Sequence, residues 1–123
     1  MKNNKIQGVA KIFIFPSGRK KYTAVCLDFD IIEEAETLYE VEGKIKEAVK
    51  GYIINVHKNN LSDKLLNRYA EKKYWDLYES YLSFLKKRHN KKNETTKQER
   101  IEQQSSFIAM PMEELIREKV LVC

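Results

Sequence analysis

The sequence predicts an α+β fold: a small antiparallel sheet in βββα order with a late fourth strand, plus a long second helix and a short C-terminal helix. Three observations carry this expectation. Two runs rich in β-branched and aromatic residues flank a Pro-Ser-Gly turn near the N-terminus. A threonine-capped apolar stripe at helical spacing begins at Thr37. A short apolar run ending at Pro111 follows a long polar stretch.

The first run, Val9 to Phe15 (VAKIFIF), is apolar at every position except Lys11. That pattern suits a strand covered on both faces, or one that meets a partner chain. The second, Tyr22 to Leu27, has the residue types that fit a pleated, half-buried surface. Between them, Pro16-Ser17-Gly18-Arg19-Lys20-Lys21 reads as a hairpin turn, in which Pro presets one dihedral and Gly supplies a positive φ. Ile31 to Glu36 is a third strand, and its glutamates mark an edge or an exposed face.

Thr37 to Glu40 (Thr-Leu-Tyr-Glu) is a capping box that can satisfy orphan amide donors at a helix start. Leu38, Val41, Ile45, Val49, Tyr52, Ile53 and Val56 then recur at spacings of three and four, while Glu42, Lys46, Glu47 and Lys50 fall elsewhere. Gly43 and Gly51 each weaken such a helix by roughly 1 kcal/mol relative to Ala. Close packing on the sheet would account for them.

A second helix starts at Asn60 or Ser62, with Asp63 in its first turn where the dipole favours an anion. It runs as one long element to about residue 90 through Leu65, Leu66, Tyr69, Trp75, Tyr78, Tyr81, Leu82 and Leu85. Aromatic residues crowd it: Tyr69, Tyr74, Trp75, Tyr78, Tyr81 and Phe84. One reading is an exposed face on which bases stack while lysines neutralise phosphate. The other is an amphipathic helix packed on the sheet or on a sister subunit, and the periodicity favours it. In that reading Tyr74, Trp75, Tyr78 and Tyr81 are candidates for oligomer or partner packing.

Residues 90–105 form a polar linker, or a frayed helix over its second half. Ser106 to Met110 returns as the fourth strand, Pro111 breaks it, and Met112 to Lys119 forms a short helix with Pro at its start. Val120-Leu121-Val122 is apolar and is expected to dock. The expected organisation is a βββα core over 1–60 and an inserted aromatic and basic helix over 61–89. The linker over 90–105 leads to a strand and helix over 106–123 that complete the same domain.

A chain of 123 residues, 42% hydrophobic and 33% charged, is the size of one domain with a real core. No apolar run approaches the roughly 20 residues that span a bilayer. The opening MKNNKIQGVAK lacks the apolar core of a signal peptide. The expectation is a cytoplasmic protein without a membrane partner. Cys26 and Cys123 are isolated; Cys26 reads as a small buried residue, and a disulfide is not expected in a reducing compartment. The formal net charge of +5 is uneven: +2 over residues 1–60, +5 over 61–100 and −2 beyond. Two basic clusters, Arg19, Lys20, Lys21 and Lys86, Lys87, Arg88, Lys91, Lys92, are candidate contacts for nucleic acid or a toxin. The second cluster also fits a solvated helix end, where the dipole favours lysine.

Enzyme chemistry finds no support. The chain has no phosphate-binding glycine loop and no cluster with metal-ligand spacing. No catalytic residue, metal or cofactor is expected. His57 and His89 read as surface residues. Asp28 and Asp30 share a face and could bind Mg²⁺, but a strand-to-turn junction favours Asp for turn formation alone.

The stretch YTAVCLDFDIIEEAETLYEVEGKIKEAVKGY, Tyr22 to Tyr52, resembles the N-terminal domain of HicB-family antitoxins. In that family a strand ends in an aspartate-containing loop and a short strand follows. A Gly-Asp-Thr-like helix start then leads into a Lys-Glu-Ala pattern. Ala35-Glu36-Thr37 stands at the helix start here, with Ala35 where the family has glycine, and Lys46-Glu47-Ala48 lies in the helix. The resemblance covers roughly residues 9 to 56. It implies a degraded ribonuclease H-like domain without the nuclease carboxylates. The implied function is non-enzymatic: to bind and neutralise a small HicA-type mRNA-cleaving toxin, as a dimer. Relatives often add a helix-turn-helix or ribbon-helix-helix; the single long helix expected here gives no DNA-binding motif, and 61–105 reads as an insertion. The alternative function is a nucleic-acid-binding accessory or regulatory protein that uses Arg19 to Lys21 and Lys86 to Lys92.

Overall fold

The structure, a computed structural model, describes residues 2–4, 7–87 and 105–112. Its elements are β1 (Val9–Gly18), β2 (Lys21–Cys26), β3 (Ile31–Ala35), α1 (Leu38–Lys58), a 3₁₀ turn (Asp63–Asn67), α2 (Lys72–Lys87) and β4 (Ser106–Pro111). The sheet is antiparallel throughout, in the order β3-β2-β1-β4. The fold is α+β, and the late strand returns beside β1.

The alternation of β1 explains the architecture. Ala10, Ile12 and Ile14 face one way, with Ala24 and Cys26 of β2, and meet Val41, Ile45, Val49, Ile53 and Val56 of α1. Phe13 and Phe15 face the other way, with Val25 and Leu27, and meet Tyr74, Trp75, Leu77, Tyr78 and Tyr81 of α2. A strand apolar on both faces is therefore one with a helix on each side.

Thr37 caps α1: its Oγ1 accepts from the Glu40 N–H at 3.1 Å. The hairpin joins β1 to β2, but its left-handed residue is Lys20 (φ 52°), not Gly18. Gly18 pairs with Lys21 while Pro16 pairs with Tyr22, so Ser17 is an extra residue in β1. Its Oγ accepts a 2.6 Å bond from the Thr23 hydroxyl. Gly43 and Gly51 do not pack on the sheet. Both are exposed, and a Cβ at either would meet open space.

The expected single long helix is broken into the 3₁₀ turn, capped by Ser62, and α2. Between them the Ala70 N–H donates to the Leu27 carbonyl at 3.0 Å, which takes it out of any helical ladder. The N-terminus is pinned to the 3₁₀ turn by a reciprocal amide pair. The Asn3 N–H donates to Asn67 Oδ1 at 2.8 Å, and Asn67 Nδ2 donates to the Asn3 carbonyl at 2.9 Å. Asn3 Oδ1 also accepts from the Val9 N–H at 2.9 Å, and a Cβ on Gly8 would lie 2.4 Å from that oxygen.

Pro111 ends β4 opposite Val9 rather than breaking a strand before it. Beyond it the Met112 N–H donates to the Gly8 carbonyl at 3.1 Å, and Met112 is fully buried. The expected helix from Met112 to Lys119 and the apolar end lie, apart from Met112, outside the described residues. So does the linker, apart from the buried Ser105. Among the described residues no helix is long and apolar enough to cross a membrane.

Candidate partner-binding groove and the polar sites around the sheet

Asp28 is not a metal ligand paired with Asp30. Its carboxylate is buried and takes over where the β1–β2 ladder ends. Oδ1 accepts from the Lys11 N–H at 2.7 Å and Oδ2 holds Lys11 Nζ at 2.8 Å. Lys11 Nζ also lies 5.8 Å from the centre of the Trp75 ring. The one charged residue in β1 thus sits in an ion pair beneath α2, with an aromatic face beside it. Asp30 is exposed and left-handed (φ 57°), a turn former. Among the described residues no group of three or more His, Cys, Asp or Glu could hold a metal ion.

Cys26 is fully buried on the α1 face, and burial pushes its thiol up to about 12, so it is not a nucleophile near neutral pH. Burial also raises Tyr52, partly offset by Arg68; its hydroxyl donates to the Leu65 carbonyl at 2.5 Å and ties α1 to the 3₁₀ turn. His57, expected on the surface, is half-buried, and its Nδ1 is enclosed without a hydrogen-bond partner among the described residues. Trp75 Nε1 is in the same condition. His89 lies outside the described residues.

Four of the five aromatics of α2 find ring partners within the chain. Tyr81 lies 5.5 Å from Phe13, Tyr74 lies 6.3 Å from Phe15, and Tyr78 stacks on Phe107 of β4 at 5.0 Å. Trp75 meets Tyr78 edge-on at 6.3 Å. The basic clusters occupy separate elements. Arg19 and Lys20 form the exposed hairpin tip, and Lys21 pairs with Glu34 across the sheet. Lys86 and Lys87 are exposed on the last turn of α2, whereas Arg88, Lys91 and Lys92 lie outside the described residues.

The feature that residue spacing did not point to is a shallow groove between β3 and the N-terminal half of α1. Glu33, Tyr39, Glu40, Glu42, Gly43, Lys44, Lys46 and Glu47 line it. Its acidic side chains outnumber its lysines, and both lysines are engaged: Lys46 by Glu42 at 2.8 Å, Lys44 by the Glu34 carbonyl at 2.9 Å. Tyr39 stands beside it at 87% exposure, and Leu38 is exposed next to it. Tyr39 is on the polar side of the α1 stripe, so periodicity alone marks it as surface and nothing more. No family model, curated protein or solved structure matches this chain.

Proposed function

We propose that the chain is a non-enzymatic protein-binding module, a HicB-like antitoxin or an orphan relative of one. It would bind and neutralise a small HicA-type mRNA-cleaving toxin in the cytoplasm, with a dimer as the working form. The observation that supports this reading best is the groove. It is acidic-rimmed on a protein whose formal net charge is +5, and it carries an almost wholly exposed tyrosine. A ribonuclease must present cationic side chains to phosphate. An acidic surface with an exposed aromatic beside it is complementary to such a partner, because tyrosine supplies large contact area at low entropic cost and opposite charge speeds encounter. The test is co-expression of the chain with the small basic reading frame nearest to its gene. The two proteins should co-purify, and ribonuclease activity should vanish in the complex. Free, fully active nuclease in the presence of excess chain would sink the reading.

A second reading is supported by the exposed Arg19–Lys20 tip and by the lysines that end α2. Here the chain is a nucleic-acid-binding accessory protein. The two readings separate on salt. Phosphate contacts lose affinity steeply as ionic strength rises, whereas a packed protein interface changes much less.

A further inference from the structure

We propose that β3 is a docking edge: an extended, lysine- or arginine-rich segment of a partner protein adds to it as a new strand. The partner's cationic side chains then enter the groove beside Tyr39. The proposal rests on the protein-binding reading above, but not on the partner being a toxin.

The edge itself is the first argument. Among the described residues β3 pairs with β2 alone. Lys44 Nζ donates to the Glu34 carbonyl at 2.9 Å, so that carbonyl points away from β2. Backbone groups alternate along an antiparallel strand, so the N–H and C=O of Ile32 and the N–H of Glu34 also point outward. Among the described residues the Lys44 ammonium is the one side-chain group on the outward backbone of this edge, and an incoming backbone N–H can replace it at Glu34. The opposite edge is built differently. The ladder from Ile14↔Ser106 to Val9↔Pro111 turns Phe107, Ala109 and Pro111 outward, and Pro111 has no N–H to offer.

The second argument is side-chain chemistry. Residues of an added strand point alternately to the two faces of the sheet. On the α1 face they meet Glu33, with Glu40 and Glu47 across the groove. On the other face they meet Ile32, which is 41% exposed opposite Val25. A segment alternating cationic and apolar residues satisfies both. A second copy of this chain paired about Glu33 does not. A two-fold β3–β3 pairing centred on Glu33 sets Glu33 against Glu33 and one acidic groove beside another, and like charges directly opposite are destabilising.

The experiment uses the isotopically labelled full chain, amide NMR and three peptides. The first is Lys-Val-Lys-Val-Lys-Val-Lys. The second has glutamate for lysine. The third is the lysine peptide with its backbone N-methylated on alternate residues. The lysine peptide should shift the Ile32 and Glu34 amides saturably; the other two should not. Ile32→Pro removes one outward N–H while leaving the β2 ladder intact. It should weaken binding at least about tenfold, the scale of a lost hydrogen bond plus a blocked approach. Glu40→Gln with Glu47→Lys, on exposed positions, should weaken it similarly, and glutamine keeps the capping-box residue type at the start of α1. The proposal is overturned by any of these results: no saturable shift, shifts centred on Phe107 and Ala109, full binding by the N-methylated peptide, or undiminished binding by both variants. Co-expression with a HicA-type ribonuclease separates this inference from the antitoxin reading. If wild type and Ile32→Pro neutralise the nuclease equally, edge docking fails and the antitoxin reading stands. If the peptide binds at β3 but the nuclease stays active, the reverse holds.

Discussion

The two faces of the sheet are closed by helices of opposite character. α1 buries Val41, Ile45, Val49, Ile53 and Val56 completely or nearly so, in a dry aliphatic layer. α2 buries none of its residues fully; it reaches the sheet through half-exposed aromatic rings. A long planar side chain covers area without bringing its backbone close, so α2 can shield Phe13 and Phe15 while standing off from them. Aliphatic side chains seal only when the helix comes close, and they leave no side for solvent. The α1 face should therefore hold most of the stability, and the α2 face should open first.

The largest test of that contrast is a pair of truncations. Ile45→Ala should cost about 3–4 kcal/mol, because it leaves a cavity among rigid neighbours. Tyr78→Ala removes a bigger side chain yet should cost only about 1–2 kcal/mol, since the ring is already partly in water. Urea unfolding monitored by circular dichroism measures both. Equal losses would erase the distinction between the two faces.

Next in size is the polar exception on the α2 face. Asp28→Asn keeps an acceptor for the Lys11 N–H but leaves the Lys11 ammonium without its counter-charge. The expected loss is roughly 3 kcal/mol, the scale for breaking a buried pair from one side. Adding Lys11→Met should recover much of it, because no unpaired charge then remains. Hydrogen exchange sharpens the point: Asp28→Asn should deprotect α2 amides before those of α1. A uniform loss across both helices would mean that the pair does not tie α2 to the sheet.

These two regions also differ in how far they could be read from residues alone. The stripe of α1 and its Thr37 cap are local patterns; the cap and the stripe from Val41 onward stand in the structure, whereas Leu38, counted at its start, is exposed. The two-sided apolarity of Val9 to Phe15 anticipated a covered strand, because alternation exposes what each face must meet. Lys11 was visible as the anomaly in that run, but its partner was not. Asp28 lies seventeen residues on and reaches Lys11 only because the ladder ends at Cys26. The break before α2 carried no Gly or Pro signal; it comes from a tertiary bond, Ala70 to Leu27, that overrides continuous helical spacing. The groove was hidden for a similar reason. Glu33 and Tyr39 belong to different elements and to no shared period.

A smaller effect should appear at alkaline pH on the α1 side. The Cys26 thiol has its pKa raised by burial from 9.0 to about 12. Between those values the unfolded chain loses its proton and the folded chain keeps it, so stability falls as pH rises from 9 towards 12. Tyr52, raised in the same direction, adds to the fall from its own range upward. Cys26→Ala should flatten the curve over this window, by comparison of urea midpoints at pH 8 and about 10.5. The same burial predicts that iodoacetamide leaves Cys26 unmodified in the folded chain, by peptide mass mapping. Rapid native alkylation would mean that the α1 face is not sealed.

The smallest expected effect is a gain, and it probes the outer side of the sealed helix. Gly43 and Gly51 both lie in α1, both are exposed, and neither has a positive φ. A Cβ at either position meets nothing within 4 Å. Alanine at each should therefore add about 0.5–1 kcal/mol, by reducing the freedom of the unfolded chain without straining the folded one. The two positions differ in one respect. Gly43 lines the groove beside Tyr39, whereas Gly51 lies two turns further along the helix and does not. Gly51→Ala should raise stability and leave partner binding unchanged. Gly43→Ala should raise stability by the same amount yet weaken binding, because a methyl group then occupies space in the groove. Equal stabilisation with unequal binding would separate the glycine that weakens only the helix from the one that also keeps the groove open.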